Sequence, residues 1–213
     1  MSITLMNLIN IINKIADTMD ENKIFLTELD AAIGDGDHGI NMTRGFHAVR
    51  EKLKTNISST AGDILKTVGM TLVSNVGGAA GPLYGTAFMK AAIVVKDNET
   101  LDIKDFIKIM EAALEGIKLR GKATVGEKTM VDAVVPAINA LQEGIIQNLK
   151  PFEILFNACE AAKGGVEFTK SIVATKGRAS YLGERSIGHQ DPGATSTYLI
   201  LKVIYEEVKK LTE

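Results

Sequence analysis

In the stretch Phe106-Ile-Lys-Ile-Met-Glu-Ala-Ala-Leu-Glu-Gly-Ile117, apolar side chains recur at every third or fourth position. This period places the apolar side chains on one face of an α-helix and the charged side chains on the other. Gly121 follows the stretch and is typical of the left-handed residue that ends a helix. The stretch therefore predicts an amphipathic helix that buries one face and ends near Gly121.

The same period extends over most of the chain. Further helices are predicted at residues 8–15, 39–53, 64–72, 82–95, 151–162 and 200–211, and another contains Pro136, where we expect a kink. Thr60 and Asp63 form a pattern similar to a capping box ahead of residues 64–72. No segment is a dependable strand. About eight amphipathic helices with mostly short connections predict an all-α fold, an antiparallel bundle.

The composition suits one helical domain, residues 1–213. Hydrophobic residues make up 46% of the chain and aromatic residues 5%, which favours helices packed through aliphatic side chains. The net charge of −2 gives no reason to expect a nucleic acid or an anionic membrane as partner. Without a signal sequence or an apolar run of about 18 residues, the chain is predicted to be cytoplasmic. Its one cysteine, Cys159, is predicted to be buried.

The segment Asp30-Ala-Ala-Ile-Gly-Asp-Gly-Asp-His-Gly-Ile-Asn41 concentrates negative charge. If Asp30, Asp35 and Asp37 converge, each pair of like charges about 4 Å apart costs roughly 4 kcal/mol at an effective dielectric constant of 20. A folded protein tolerates this only with a proton or a cation between the carboxylates. Mg²⁺ is commonly shared between carboxylates and substrate phosphates. The segment therefore predicts a Mg²⁺ site that handles phosphate.

Two better-known motifs fit the same segment poorly. Gly34-x-Gly36-x-x-Gly39 matches the dinucleotide fingerprint, but no hydrophobic strand precedes it. A calcium-binding loop counted from Asp35 would need an acidic residue at Phe46. A solvated turn in which Asp37 or His38 caps the next helix stays an alternative, although such a turn does not need three carboxylates.

Two glycine-rich segments resemble phosphate-binding loops. Ser74-Asn-Val-Gly-Gly-Ala-Ala-Gly-Pro-Leu-Tyr-Gly85 predicts an anion-binding loop, because its glycines expose backbone N–H groups and Pro82 suits the first position of a helix. Close helix packing through Gly and Ala is the alternative. Gly116-x-x-x-x-Gly121-Lys122 resembles a P-loop, but Ala123 replaces the Ser or Thr that binds Mg²⁺ and a helix precedes it. No P-loop is predicted.

The connection 175–193 is long and rich in Gly, Arg, Ser and Asp, which is typical of functional loops. Lys176, Arg178 and Arg185 offer positive charge to phosphate oxygens, although salt bridges to Glu184 would also explain them. An acidic segment, a glycine-rich loop and a basic loop together predict a nucleotide-phosphate site. Phosphoryl transfer depends mainly on positioning and charge neutralisation, which these groups supply.

The chain carries four motifs: Gly34-Asp-Gly-Asp-His-Gly39, Asn75-Val-Gly-Gly-Ala79 with Gly81-Pro-Leu83, Gly126-Glu-Lys-Thr-Met130, and Lys176–Gly193. Together they resemble the nucleotide-binding L subunits of dihydroxyacetone kinases, the DhaL family, over nearly the whole chain. The resemblance implies a closed barrel of eight antiparallel helices with a nucleotide site at one end. It also implies Mg²⁺ (two ions) and ADP or ATP as cofactors.

The resemblance further implies individual site residues. Asp30, Asp35 and Asp37 would hold the two Mg²⁺ ions. Ala80 stands where relatives have Ser, so a hydroxyl donor is lost there. No catalytic residue is implied, because a partner subunit holds the acceptor. The implied nucleotide contacts are His38, Gly39, Ile40 and Asn41 with Ala79 and Ala80 at the phosphates, Gly121 and Met130 near adenine, and Arg178, Asp191, Pro192 and Gly193 closing over the nucleotide.

In this family a partner subunit, DhaK, holds dihydroxyacetone. Fused kinases exchange ATP freely, whereas the phosphotransferase-system (PTS) form keeps ADP bound while a phosphohistidine subunit, DhaM, rephosphorylates it in place. A 213-residue chain that starts at Met1 without a linker favours the second form. Two alternatives stay open: a nucleotide-binding domain of another DhaL-like kinase, such as a fatty-acid kinase, and an ADP-dependent regulatory module that contacts a transcription activator.

Overall fold

Helices dominate the residues described by this computed structural model, 2–55 and 59–211. The α-helices are α1 (Leu5–Glu21), α2 (Lys23–Ile33), α3 (His38–Thr55), α4 (Ala61–Asn75), α5 (Ala80–Val94), α6 (Ile103–Gly121), α7 (Val131–Ile146), α8 (Pro151–Ser171) and α9 (Pro192–Lys210). A 3-10 helix covers Arg178–Ser186. The predicted all-α class is confirmed. Two strands that were not predicted, β1 (Ser2–Thr4) and β2 (Thr100–Asp102), pair antiparallel with Ile3 opposite Leu101.

The described residues form two compact units. The first contains residues 2–19 and the described part of 41–122, and the second contains residues 20–40 and 123–211. The single domain 1–213 stays a prediction. Within 2–55 and 59–211, none of the helices has the length and apolar character that crossing a bilayer requires.

In the first unit, α4, α5 and α6 pack in chain order. Two glycines allow α4 and α5 to approach closely. A Cβ at Gly69 would lie 2.8 Å from the Gly85 carbonyl oxygen, and a Cβ at Gly85 would lie 2.9 Å from the Gly69 carbonyl oxygen. Close helix packing therefore accounts for Gly85, the last residue of the glycine-rich segment.

Two predicted helix ends lie in this unit, the start of α4 and the end of α6. The Thr60 side chain accepts a hydrogen bond from the Asp63 backbone N–H at 3.1 Å, so α4 begins with the predicted cap. The helix α6 ends at Gly121 as predicted, but the left-handed residue that follows the helix is Lys122, with φ of 50°, and not Gly121. A Cβ at Gly121 would lie 3.0 Å from Leu83 Cδ2, so this glycine allows close packing.

In the second unit, α7, α8 and α9 pack against one another, and α2 contacts α9. Small and aliphatic residues line the buried faces, including Val134, Ala158, Ala162 and Leu201. Cys159 is buried as predicted, and burial raises the pKa of its thiol to about 11. This packed scaffold positions the connections that carry most of the predicted site.

Candidate functional site

Three aspartates converge between α2 and α3. Asp30 lies in the last turn of α2, and Asp35 and Asp37 lie in the connection that follows. Each residue offers one carboxylate oxygen to a set whose members lie within 4.8 Å of one another. Oxygen donors of this kind fit a hard divalent cation, and the like charges favour one. The geometry therefore agrees with the predicted Mg²⁺ site.

Asp30 also caps α3. Its Oδ2 accepts the backbone N–H of Asp37 at 2.9 Å and that of His38 at 3.1 Å. A helix leaves N–H groups of this kind without partners at its N-terminus. The alternative of a capping turn is therefore correct in part. A side chain of this segment caps α3, but the capping residue is Asp30 and not Asp37 or His38. The cap uses Oδ2 and leaves Oδ1 beside Gly34, where a Cβ would overlap it.

His38 is a buried residue at the start of α3. Its Nε2 lies 2.8 Å from Ser196 Oγ on α9, and that hydroxyl lies 3.0 Å from the Pro192 carbonyl oxygen. Burial lowers the pKa of His38, and the negative charges of Asp30 and Asp37 act in the opposite direction. His38 is therefore an oriented and mostly uncharged imidazole beside the acidic cluster at neutral pH.

Gly39 and Ile40 complete the first turn of α3 in the second unit. A Cβ at Gly39 would lie 2.8 Å from the Thr27 backbone nitrogen, so the absence of a side chain lets α3 begin against α2. Ile40 is exposed. Gly39 therefore has a structural role whether or not its backbone contacts a phosphate.

Met130 lies close to the start of α9. Asp191 caps α9, because its Oδ2 accepts the Ala194 backbone N–H at 2.6 Å, and Pro192 is the first helical residue. A Cβ at Gly193 would lie 3.6 Å from Met130 Cβ. Burial raises the pKa of the Asp191 carboxyl to about 7, and the hydrogen bond from Ala194 opposes this shift. Met130 and residues 191–193 thus form one patch, as the predicted site requires.

Arg178 lies at the edge of the acidic cluster. Its Nη2 is 3.0 Å from Asp35 Oδ2, and both side chains are more than a third exposed. An exposed ion pair of this kind contributes only about 0–1 kcal/mol to stability. The pair is therefore weak enough for Arg178 to turn towards a bound phosphate, which is the role predicted from the sequence.

Asn41, on α3, is held by Arg44 in the first unit. Arg44 donates from Nη2 to Asn41 Oδ1 and from Nε to the Asn75 carbonyl oxygen, both at 2.8 Å. A Cβ at Gly77 would lie 2.9 Å from Asn41 Oδ1. Because Oδ1 accepts from Arg44, the Asn41 amide nitrogen is oriented to donate elsewhere, for example to an anion.

Ala79 and Ala80 stand at the start of α5, in the first unit as well. The helix begins at Ala80, two residues before the Pro82 start that the sequence predicted. Ala79 has no side-chain cap, so the free N–H groups of the first turn suit an anion. Gly121 packs near Leu83, three residues into the same helix. The first unit therefore holds the predicted contacts Asn41, Ala79, Ala80 and Gly121.

The family model of the DAK2 domain matches residues 32–206. The chain belongs to the DAK2 domain family. This DAK2 domain is 47% identical over 195 residues to the PEP-dependent dihydroxyacetone kinase 1, ADP-binding subunit DhaL, of Listeria innocua, covering 92% of each chain. It is 45% identical over 200 residues to the PTS-dependent dihydroxyacetone kinase, ADP-binding subunit DhaL, of Lactococcus lactis, covering 92% of this chain and 94% of the relative.

The fold of the DAK2 domain is also that of a solved kinase. The dihydroxyacetone kinase of C. freundii, solved in complex with AMP-PNP and Mg²⁺, superposes with a TM-score of 0.73 and 24% identity. The match covers 93% of this chain and 33% of that protein, so the DAK2 domain spans about a third of the larger kinase. The family predicted from four motifs, a family of kinase subunits, is confirmed.

Sequence reasoning missed several polar residues of this DAK2 domain. Ser196 contacts His38 across 158 positions of the chain, and Lys128 and Asp132 are buried beside the Asp191 turn. A usable signal was present for Ser196, since Thr195-Ser-Thr197 interrupts the apolar pattern of α9 near its start. Lys128 lies inside the motif Gly126–Met130, but the residues around it in the sequence do not predict that its side chain is buried.

Proposed function

We propose that this chain is the ADP-binding subunit of a PTS-dependent dihydroxyacetone kinase in the cytoplasm. It holds ADP with two Mg²⁺ ions, DhaM rephosphorylates the ADP in place, and the γ-phosphoryl group passes to dihydroxyacetone on DhaK. Relatives that match over more than nine-tenths of their length carry names that state ADP binding and PEP or PTS dependence, which supports this assignment.

The convergence of Asp30, Asp35 and Asp37 within 4.8 Å is the observation that carries the proposal. When bound there, Mg²⁺ would neutralise both the carboxylates and the phosphate oxygens of the nucleotide. Asp30 keeps its orientation through the two backbone N–H groups at the start of α3. Arg178 adds positive charge at the same edge. These residues bind and orient phosphate groups without forming a covalent bond.

The remaining predicted contacts have separable tasks in this proposal. Asn41 and the start of α5 donate to phosphate oxygens, Gly121 and Met130 pack near adenine, and Arg178 closes over the nucleotide together with residues 191–193. The mostly uncharged His38 offers a polar contact. A general base is not required from this chain, because the acceptor hydroxyl is presented by DhaK.

Two substitutions test the metal assignment. Asp35→Asn and Asp37→Asn each remove one anionic ligand with little change in volume, so turnover in a system reconstituted from the three subunits should fall by at least about 10- to 100-fold. Circular dichroism should show intact helices. Glu28→Gln, an exposed carboxylate on α2, is the charge-matched control and should keep full turnover. Unchanged turnover in both aspartate variants would defeat the assignment.

The acceptor separates this proposal from the alternatives. Transfer of labelled phosphate should require DhaK and dihydroxyacetone, whereas transfer to a fatty acid would identify another DhaL-like kinase. A chain that binds ADP but supports no transfer with the three subunits would favour the regulatory module.

A further inference from the structure

Lys128 is a buried lysine in the connection between α6 and α7. Only 1% of its surface is exposed, and its φ of 60° lies in the left-handed region. Lysine side chains are almost never buried unless their ammonium group is bonded, and a positive φ is strained for a residue with a side chain. A residue that combines both features is fixed in place by its surroundings.

The ammonium group of Lys128 bonds to the end of α8. Its Nζ donates to the carbonyl oxygen of Thr169 and, at 3.1 Å, to that of Ile172. Carbonyls at a helix C-terminus lack helical partners and carry partial negative charge. Burial lowers the pKa of Lys128, and the carboxylates of Asp191 and Asp132 oppose this shift. Lys128 therefore caps α8 from a distant part of the sequence.

The same turn of α8 holds the start of α9. The Thr169 hydroxyl donates to the Val166 carbonyl oxygen at 2.6 Å and accepts the Asp191 backbone N–H at 2.9 Å. Lys128 and Asp191 thus bind the same residue, one through its carbonyl oxygen and the other through its hydroxyl. Displacing Lys128 would disturb the anchor of the Asp191 turn.

The turn that carries Lys128 is closed by Asp132. The Asp132 carboxylate accepts the backbone N–H of Gly126 at 2.6 Å and that of Thr129 at 2.8 Å. Met130 follows within this turn and lies beside Gly193, where a Cβ would be 3.6 Å from Met130 Cβ. The positions of Met130 and of residues 191–193 therefore depend on one shared anchor.

We propose that Lys128 is a positioning residue of the nucleotide site, which ties Met130 and Asp191–Gly193 to the end of α8 without touching the ligand. This inference rests on the proposed function, in which Met130 packs near adenine, residues 191–193 close over the nucleotide and the aspartates hold the Mg²⁺ ions. Lys128 should therefore control the preference for adenine more than the requirement for Mg²⁺.

Lys128→Met tests the anchor, because it keeps the apolar part of the side chain and removes the ammonium group. Calorimetric titration with Mg-ADP and Mg-GDP should give at least a tenfold weaker ADP affinity and a GDP-to-ADP ratio of dissociation constants that moves towards one. Lys128→Arg should restore much of this ratio, since guanidinium also donates to carbonyls. Lys170→Met, an exposed-face change on α8 beside Glu167, should leave the ratio unchanged.

A second pair of variants covers a failure of Lys128→Met to fold. Thr169→Val removes the hydroxyl that accepts from Asp191 and should lower the preference for ADP, whereas Thr169→Ser keeps the hydroxyl and should not. If Lys128→Met folds and keeps the wild-type affinity for ADP and the wild-type GDP-to-ADP ratio, the positioning role is overturned and the proposed function is not. If Lys128→Met does not fold, the same result in Thr169→Val overturns the positioning role. A wild-type chain that binds no Mg-ADP overturns the proposed function, and the positioning role with it.

Discussion

Gly34 fixes the position of an oxygen that the proposed metal site needs. The residue follows α2 directly, and a Cβ there would overlap Asp30 Oδ1. The space beside the Asp30 carboxylate therefore requires glycine at this position. Two features therefore fix the Asp30 carboxylate: the missing side chain at Gly34 leaves room for Oδ1, and two backbone N–H groups bind Oδ2.

Gly34→Ala should therefore weaken Mg²⁺-dependent ADP binding by about 10- to 100-fold, because the added methyl group displaces the Asp30 carboxylate. Calorimetric titration of ADP at saturating Mg²⁺ measures the effect, and circular dichroism checks that the helices remain. Gly164→Ala is the matched control, since a Cβ there meets no atom within 4 Å. Wild-type affinity in Gly34→Ala would show that Asp30 Oδ1 is not a ligand.

Asp191 links stability to pH. Burial raises the pKa of its carboxyl from an ordinary 3.8 to about 7. The folded chain therefore binds the proton more tightly than the unfolded chain, and the stability that this proton contributes is present below about pH 4 and lost as the pH rises through about 7. Above that range both states are deprotonated and the contribution levels off.

Asp191→Asn should remove this dependence, because Asn caps a helix without an ionisable proton. As the pH rises from 4 to 7, the free energy of unfolding of the variant should increase relative to that of wild type by a few kcal/mol, on the order of 1 kcal/mol per pH unit. Urea titrations across pH 4–8 measure the difference. Asp97→Asn, which changes an exposed carboxylate, is the control, and its free energy of unfolding should depend on pH as that of wild type does. The same pH dependence in Asp191→Asn would contradict the burial argument.

At the scale of an element, α8 carries adjacent glycines in opposite surroundings. A Cβ at Gly165 would lie 3.0 Å from Ala133 Cα and would overlap the Asp132 carbonyl oxygen, whereas Gly164 faces open space. The backbone of α7 therefore requires glycine at only one of these two positions. Asp132 is also the residue that closes the Lys128 turn.

The two alanine variants should have effects of opposite sign. Gly165→Ala should destabilise the fold by about 1–3 kcal/mol or more through overpacking, whereas Gly164→Ala should stabilise it by up to about 1 kcal/mol through helix propensity. Chemical denaturation measures both free energies of unfolding. Equal effects would contradict the close contact between α7 and α8.

Most elements were predictable from the periodicity of apolar residues, and the exceptions have physical reasons. The helix α2 was missed because it buries only Leu26 and Ile33 fully and exposes Ile24 and Phe25, so it lacks an apolar stripe. The two strands are three residues long, which is too short to display alternation. The left-handed residue after α6 is Lys122 and not Gly121, because Gly121 is still part of the helix and packs closely against Leu83.

The candidate site was predictable where its residues are close in sequence. Asp30, Asp35 and Asp37 share one connection, so their convergence follows from local geometry. The contact of His38 with Ser196 spans 158 positions, and that of Lys128 with Thr169 spans 41. Contacts at such separations depend on how α8 and α9 pack, which a single sequence does not reveal.

At the scale of the whole molecule, the proposed subunit is defined by the ligand it retains. Predicted contacts lie in both units: the aspartates, His38, Met130 and Asp191–Gly193 in the second, and Asn41 with Ala79 and Ala80 in the first. The mass of the chain with its bound ligands therefore tests the proposed nucleotide and metal contacts together.

Native mass spectrometry of the chain, mixed with ADP and Mg²⁺ and then exchanged into a volatile buffer, tests the central claim most directly. The account predicts one dominant species whose mass exceeds that of the chain by one ADP and two magnesium ions, and predicts its loss when Asp35 and Asp37 are both changed to Asn. A chain that keeps its bare mass at saturating ADP and Mg²⁺ would contradict the account.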